Sequence, residues 1–243
     1  MENLPDIENW ITQNLRLTAF HVSESDIEPV QKWEETVGEL PENSISQPRA
    51  GILEESGQFG SGVLSLRMIP GRIDWNYLSA FPTETIPESF LNVGIFTDAI
   101  ETFQTKMLTW LDSCPNIKRL AFGANLVLPS ESHNDAYNLL NGYLHAVEVD
   151  SESSDFTYSV NRRRSSEIQI PNLKVNRLSK WRAIKMMYKA DGLDEDSIFG
   201  VSLELDINTV PSDDLKITKE YFPSLFSELI RMAIEIVEKG DIK

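Results

Sequence analysis

The chain has 243 residues, 41% hydrophobic and 25% charged, with a formal charge of −16. Twelve Gly and twelve Pro exclude a collagen-like or Pro-rich chain, and no apolar run approaches the ~20 residues that cross a bilayer as a helix. The single cysteine, Cys114, excludes an internal disulfide framework, and the acidic opening MENLPDIENW lacks the apolar stretch of a secretory signal, so a reducing cytoplasm is the expected setting.

Residues 5–13 are expected to form a short helix with Pro5 in its first turn. LRLTAFHV, 15–22, reads as a strand. Residues 26–38 read as a helix capped by Asp26, with Ile27, Val30, Trp33 and Val37 on one face. Three strands follow at 49–57, 62–69 and 72–79, the last two joined by the turn signal Pro70-Gly71, and 80–92 reads as a loop or crossover. Residues 95–113 carry a helical stripe of Phe96, Ala99, Ile100, Phe103, Met107, Trp110 and Leu111, stopped before Pro115. In the strand 117–128, Leu120, Phe122, Ala124, Leu126 and Leu128 share one face. A helix over 131–147 is expected, capped by Ser130 and burying Ala136, Leu139, Leu140, Tyr143 and Val147. Strands are expected at 155–164, 175–189 and 198–209. Over 175–189, Val175, Leu178, Trp181, Ile184 and Met187 also fit a helical stripe; the turn-rich 190–196 favours a hairpin. A last helix is expected over 219–239, terminated by Gly240.

The order strand, helix, three strands, helix thus occurs from 15 to 113 and again from 117 to 239. The expected fold is α+β: two related halves, 1–92 and 93–243, packed as one unit, with mostly antiparallel sheets and helices on one face.

Charge is unevenly spread. Between 161 and 189 lie Arg162, Arg163, Arg164, Lys174, Arg177, Lys180, Arg182, Lys185 and Lys189, opposed only by Glu167, so this segment is +8 and the remainder −24. Arg162, Arg163, Arg164, Arg177, Lys180, Arg182 and Lys185 are therefore the candidate partner- or anion-binding residues, since guanidinium forks suit carboxylate and phosphate. In a strand, Arg162 and Arg164 point one way and Arg163 the other. Internal compensation accounts for the same letters, with Lys180, Arg182 or Lys185 pairing across strands with Glu204 and Asp206.

Catalytic constellations are sparse. His21, His133, His145 and Cys114 show no metal-ligand spacing, so no metal or cofactor is expected. Ser130, Ser132, His133 and Asp135 hold the letters of a hydrolytic triad, but helix capping explains them, and no GxSxG elbow is present. Cys114 reads as a small buried hydrophobe. Gly57, Gly60 and Gly62, in GQFGSG, read as a hairpin connection rather than a phosphate loop. Glu204 and Asp206 share a strand face in the geometry that two carboxylates use for a divalent cation, and Asp214 and Lys216 follow in SDDLK.

GRIDW (71–75), RLAFGANLVLP (119–129), NRLSKW (176–181) and LELDINT (203–209) resemble a sporadically distributed family of uncharacterised bacterial proteins of about this length. The resemblance runs from about residue 15 to the end. It implies a bacterial, cytoplasmic setting and assigns no residue a role.

The function expected from these features is non-enzymatic: an accessory or inhibitor subunit that binds another protein. Nucleic acid is a weaker partner for so acidic a chain, and no membrane contact is expected. The alternative is a metal-dependent nucleic-acid-processing enzyme using Glu204, Asp206 and the basic segment 161–189. A third possibility is a chaperone-like sheet presenting apolar strands to unfolded clients.

Overall fold

The structure, a computed structural model, describes residues 4–21, 33–80, 89–188, 196–212 and 217–241. The strands are β1 (Ile11–His21), β2 (Asn43–Gln47), β3 (Ile52–Phe59), β4 (Gly62–Ile69), β5 (Arg72–Ser79), β6 (Ile117–Ser130), β7 (Thr157–Asn161), β8 (Arg164–Ser165), β9 (Lys174–Tyr188) and β10 (Asp196–Thr209). The helices are α1 (Trp33–Val37), α2 (Phe96–Leu111), α3 (His133–Tyr143) and α4 (Phe222–Lys239). All ten strands join one sheet in the order β2-β3-β4-β5-β1-β6-β10-β9-β7, with β8 paired to β9. Every pairing is antiparallel. The fold is α+β, and among the described residues no helix is long and apolar enough to cross a membrane.

The alternation of β10 shows why the sheet has one dry side. Val201, Leu203, Leu205 and Ile207 are buried, whereas Glu204 between them is exposed. The register carries the dry side across the sheet, with Ile207 opposite Phe122, Phe122 opposite Leu17, and Leu17 opposite Trp75. The helices cover this side. Trp33 of α1 and Trp110 of α2 pack on Trp75, Phe226 of α4 on Phe122, and Tyr143 of α3 on Trp181. All five tryptophans are buried there. The α2 stripe is buried as its spacing predicts, and so is that of α4, from Phe222 through Ile236.

Several boundaries differ from expectation, each for a local reason. Residues 5–13 are not a helix: Ile7–Asn9 form a single 3-10 turn capped by Asp6, and β1 begins at Ile11, because Thr12 and Leu15 pair with β6 above the buried Trp10. Within 26–38, Trp33–Val37 are helical; Asp26, Ile27 and Val30 lie outside the described residues, as do most of the 80–92 crossover and the 190–196 turn. The edge strand β2 was not anticipated. The expected strand 49–57 begins instead at Ile52, after a 3-10 turn at Pro48–Ala50 and Gly51 at φ 64°. α3 starts two residues later than expected because Ser132, not Ser130, accepts from the Asp135 N–H at 3.2 Å. It ends at Tyr143, leaving Val147 exposed and Leu139 half-buried. The stretch 155–164 is split between β7 and β8. Over 175–189 the strand alternative holds: Val175 and Trp181 are buried beneath helices, while Leu178 and Ile184 lie on the opposite side.

Candidate functional site

Strand alternation divides the basic segment between the two sides of the sheet. On the helix side, Arg162 grips Asp241 with both arms of its fork, Nε to Oδ1 at 2.6 Å and Nη2 to Oδ2 at 2.7 Å, and the Tyr158 hydroxyl donates to the same carboxylate. Arg164 and Arg177 converge on Glu235 of α4 at 2.8 and 3.0 Å, and Lys239 approaches its other oxygen. The Arg162 hydrogen bonds hold the Asp241 carboxyl below the usual carboxylate range. Burial, reinforced by the Asp241 hydrogen bond, raises the Tyr158 hydroxyl. Burial lowers the Arg177 guanidinium, and neighbouring Arg164 adds to the effect. This network ties α4 to β7, β8 and β9. The forks of Arg162 and Arg164 are thus taken up by acids of the same chain.

The opposite side of the sheet carries no helix among the described residues, and the rest of the basic segment lies there. Arg163 donates to Asn176 Oδ1 at 2.9 Å, and Lys180 sits 3.6 Å from Glu204, the cross-strand pairing its register imposes. Arg182 is half-buried, and its Nε has no hydrogen-bond partner. Lys185 lies instead near the end of β9 on the helix side, 5.8 Å from the Phe199 ring centre. Lys189 is outside the described residues.

Other strands bring further cations to the uncovered side. Arg67 pairs with Glu54 at 2.8 Å and Arg72 with Asp74 at 2.7 Å, and the Phe20 ring lies between Arg72 and Arg119. A chain of amides crosses three strands here. Asn161 donates to Asn176, Asn176 to Asn208, and Asn208 to Asp206, each at 3.0 Å. Among the described side chains, cations on this face (Arg16, Arg67, Arg72, Arg119, Arg163, Lys174, Lys180, Arg182) outnumber carboxylates (Glu54, Asp74, Glu204, Asp206), in a molecule whose total charge is −16.

Sequence reasoning missed Arg16. It sits on central strand β1, far along the chain from the basic segment. Its guanidinium lies over Gly123 of β6, where a Cβ would come within 3.2 Å of Nη2. Its Nε is buried without a partner, and Arg16 makes no ion pair among the described residues. Glycine inside an inner strand signals close approach of another group, and Gly123 within RLAFGANLVLP is that signal.

The remaining candidates take ordinary structural positions. Glu204 is held by Lys180 and Asp206 by Asn208; Asp214 and Lys216 lie outside the described residues. Among the described residues no three His, Cys, Asp or Glu side chains are grouped to hold a metal ion. Ser132 is the α3 cap, and His133 stacks on Tyr137. Gly60, at φ 54°, belongs to the tight turn joining β3 to β4, so GQFGSG is a hairpin connection. Cys114 is buried, which pushes its thiol up to about 12.

No family model, curated protein or solved structure matches this chain.

Proposed function

We propose that this chain is a non-catalytic accessory or inhibitor subunit that holds an acidic, extended stretch of a partner protein against the uncovered side of its sheet. The observation that carries this is the cation excess on that side, set in a molecule of charge −16. Such a field attracts carboxylates locally and repels other copies of the chain. The side also displays Asn14, Asn76, Asn125, Asn176 and Asn208, amides that both donate to and accept from peptide groups.

A polypeptide fits better than nucleic acid for two reasons. The amides of this side match peptide groups, which both donate and accept, whereas a phosphate backbone only accepts. Phe20, on β1 of this side, lies between Arg72 and Arg119 and is not an open stacking platform for a base. The recurring element order supports a duplicated scaffold, in which each copy supplies half of the binding side. A buried thiol and the lack of disulfides suit a reducing cytoplasm.

Fluorescence anisotropy with a labelled, capped peptide of Glu and Ser, beside a single-stranded oligonucleotide of equal charge, tests this. The peptide should bind more tightly than the oligonucleotide, weaken with salt, and lose about tenfold in affinity in K180E/R182E. Oligonucleotide binding in preference to the peptide, especially if it required magnesium or manganese, would move the assignment to the Glu204/Asp206 enzyme. Binding of neither would refute the proposal.

A further inference from the structure

One row of residues runs across the uncovered side at right angles to the strands. Asn43 is opposite Ser56, Ser56 opposite Ser65, Ser65 opposite Asn76, and Asn76 opposite Arg16. The first four are small and polar, whereas the adjoining row carries the long Arg67–Glu54 pair and Ile45. The result is a trough of about 360 Å³ with Asn43, Ser56, Ser65 and Asn76 along its floor. From β2 to β5 it crosses three strand spacings, about 14 Å, the length of about four extended residues. Beyond Asn76 the row continues into Arg16 of β1, whose side chain leans away from β5 so that its guanidinium lies over the bare backbone of Gly123 on β6.

Glu55, which also lines the trough, accepts from the Trp33 N–H, and among the described residues the other charges beside it are paired except at this end. Arg67 is matched by Glu54, and Arg72 by Asp74, which also accepts from the Thr18 hydroxyl. Among the described residues Arg16 has no carboxylate within ion-pair distance; Asp206, its neighbour beyond Gly123, accepts from Asn208. A cation half-buried without a partner lowers stability, and a ligand carboxylate offsets that cost. Gly123 is the other half of the device. A glycine weakens an inner strand, and its gain here is a flat seat on β6 that holds the guanidinium one strand beyond the Arg16 backbone, at the far end of the row.

We infer that the trough receives an extended, polar peptide segment of the partner, laid across β2, β3, β4, β5 and β1, and that Arg16 anchors it through a Glu or Asp side chain. This rests on the partner reading above and names its anchor. The carboxylate takes a two-armed hydrogen bond from the guanidinium, while the floor's hydroxyls and amides meet the peptide groups.

Titration of the same capped Glu/Ser peptide into wild type, R16M, G123V and K180E/R182E tests this, with the Arg Nε–H resonances followed by NMR. The Arg16 resonance should move on binding. R16M should lose about tenfold in affinity with a melting temperature equal to or above that of wild type, since it removes an unpaired charge. G123V, which evicts the guanidinium from its seat, should fold and bind weakly. Peptide binding unchanged in R16M but weakened in K180E/R182E would overturn the anchor while leaving the partner reading intact. Binding absent from wild type would overturn both. Equal binding of an all-Ser peptide with a free C-terminal carboxylate would overturn the side-chain assignment.

Discussion

Arg177 is 1% exposed, and of its guanidinium nitrogens Nε and Nη1 have no partner while Nη2 bonds Glu235. A buried cation in this position costs desolvation that one carboxylate partly offsets. Two substitutions should therefore differ sharply. Glu235→Ala strands Arg177 and should cost about 3 kcal/mol, whereas Arg177→Met should cost less than about 1 kcal/mol; chemical denaturation of both, and of the double variant, measures the difference. Asp241 adds a dependence on pH. Arg162 holds its carboxyl below the ordinary value, so the unfolded chain takes up the proton first. The pair's contribution is then complete above about pH 4 and drains away as pH falls through the depressed folded value. Melting temperature measured against pH should show that acid loss in wild type and less of it in Asp241→Asn. Cys114, its thiol raised to about 12 by burial, should stay unlabelled by thiol reagents until the protein unfolds.

Helices with strong apolar stripes could be read from sequence because burial alone sets their pattern. Every residue of the α2 stripe is buried. Their ends were harder to read, because caps depend on which of several similar side chains reaches an open N–H. Ser130 and Ser132 are both capping residues by type, but only Ser132 bonds the Asp135 N–H, while Ser130 Oγ donates to the Ser132 carbonyl. Ser132→Ala should thus cost about 1 kcal/mol and Ser130→Ala only a few tenths, by urea denaturation. Strand β2 left no trace in the letters for the opposite reason. All five of its residues are exposed, so no apolar alternation marks it, and it exists through its ladder with β3. Gly240 shows a constraint no pattern reveals. It lies at φ 74°, and a Cβ there would come within 2.1 Å of the Tyr143 carbonyl oxygen, so Gly240→Ala should unseat the end of α4 from α3.

Across the whole molecule, the fold class and most strands were visible in the sequence, but the strand order was not. Antiparallel hairpins follow from local turns. The contact of β1 with both β5 and β6 joins segments more than fifty residues apart, and no local period encodes it. The same gap explains the candidate site. Consecutive basic letters drew attention to 161–189, yet alternation sends Arg162, Arg164 and Arg177 to the acids beneath α4. Meanwhile, topology carries Arg16, Arg67, Arg72 and Arg119 to the face where Lys180 and Arg182 lie. The central claim is that this uncovered face, rather than the molecule's charge as a whole, binds an acidic partner segment. A matched pair of charge reversals tests it most directly. K180E/R182E alters the uncovered face, and K219E/R231E makes the same change of net charge on the helix side, at the exposed Lys219 of the turn leading into α4 and at Arg231 of α4. With the Glu/Ser peptide, the first should lose about tenfold in affinity and the second less than about twofold. Equal losses in the two would show that the face has no special part in binding and would contradict the account.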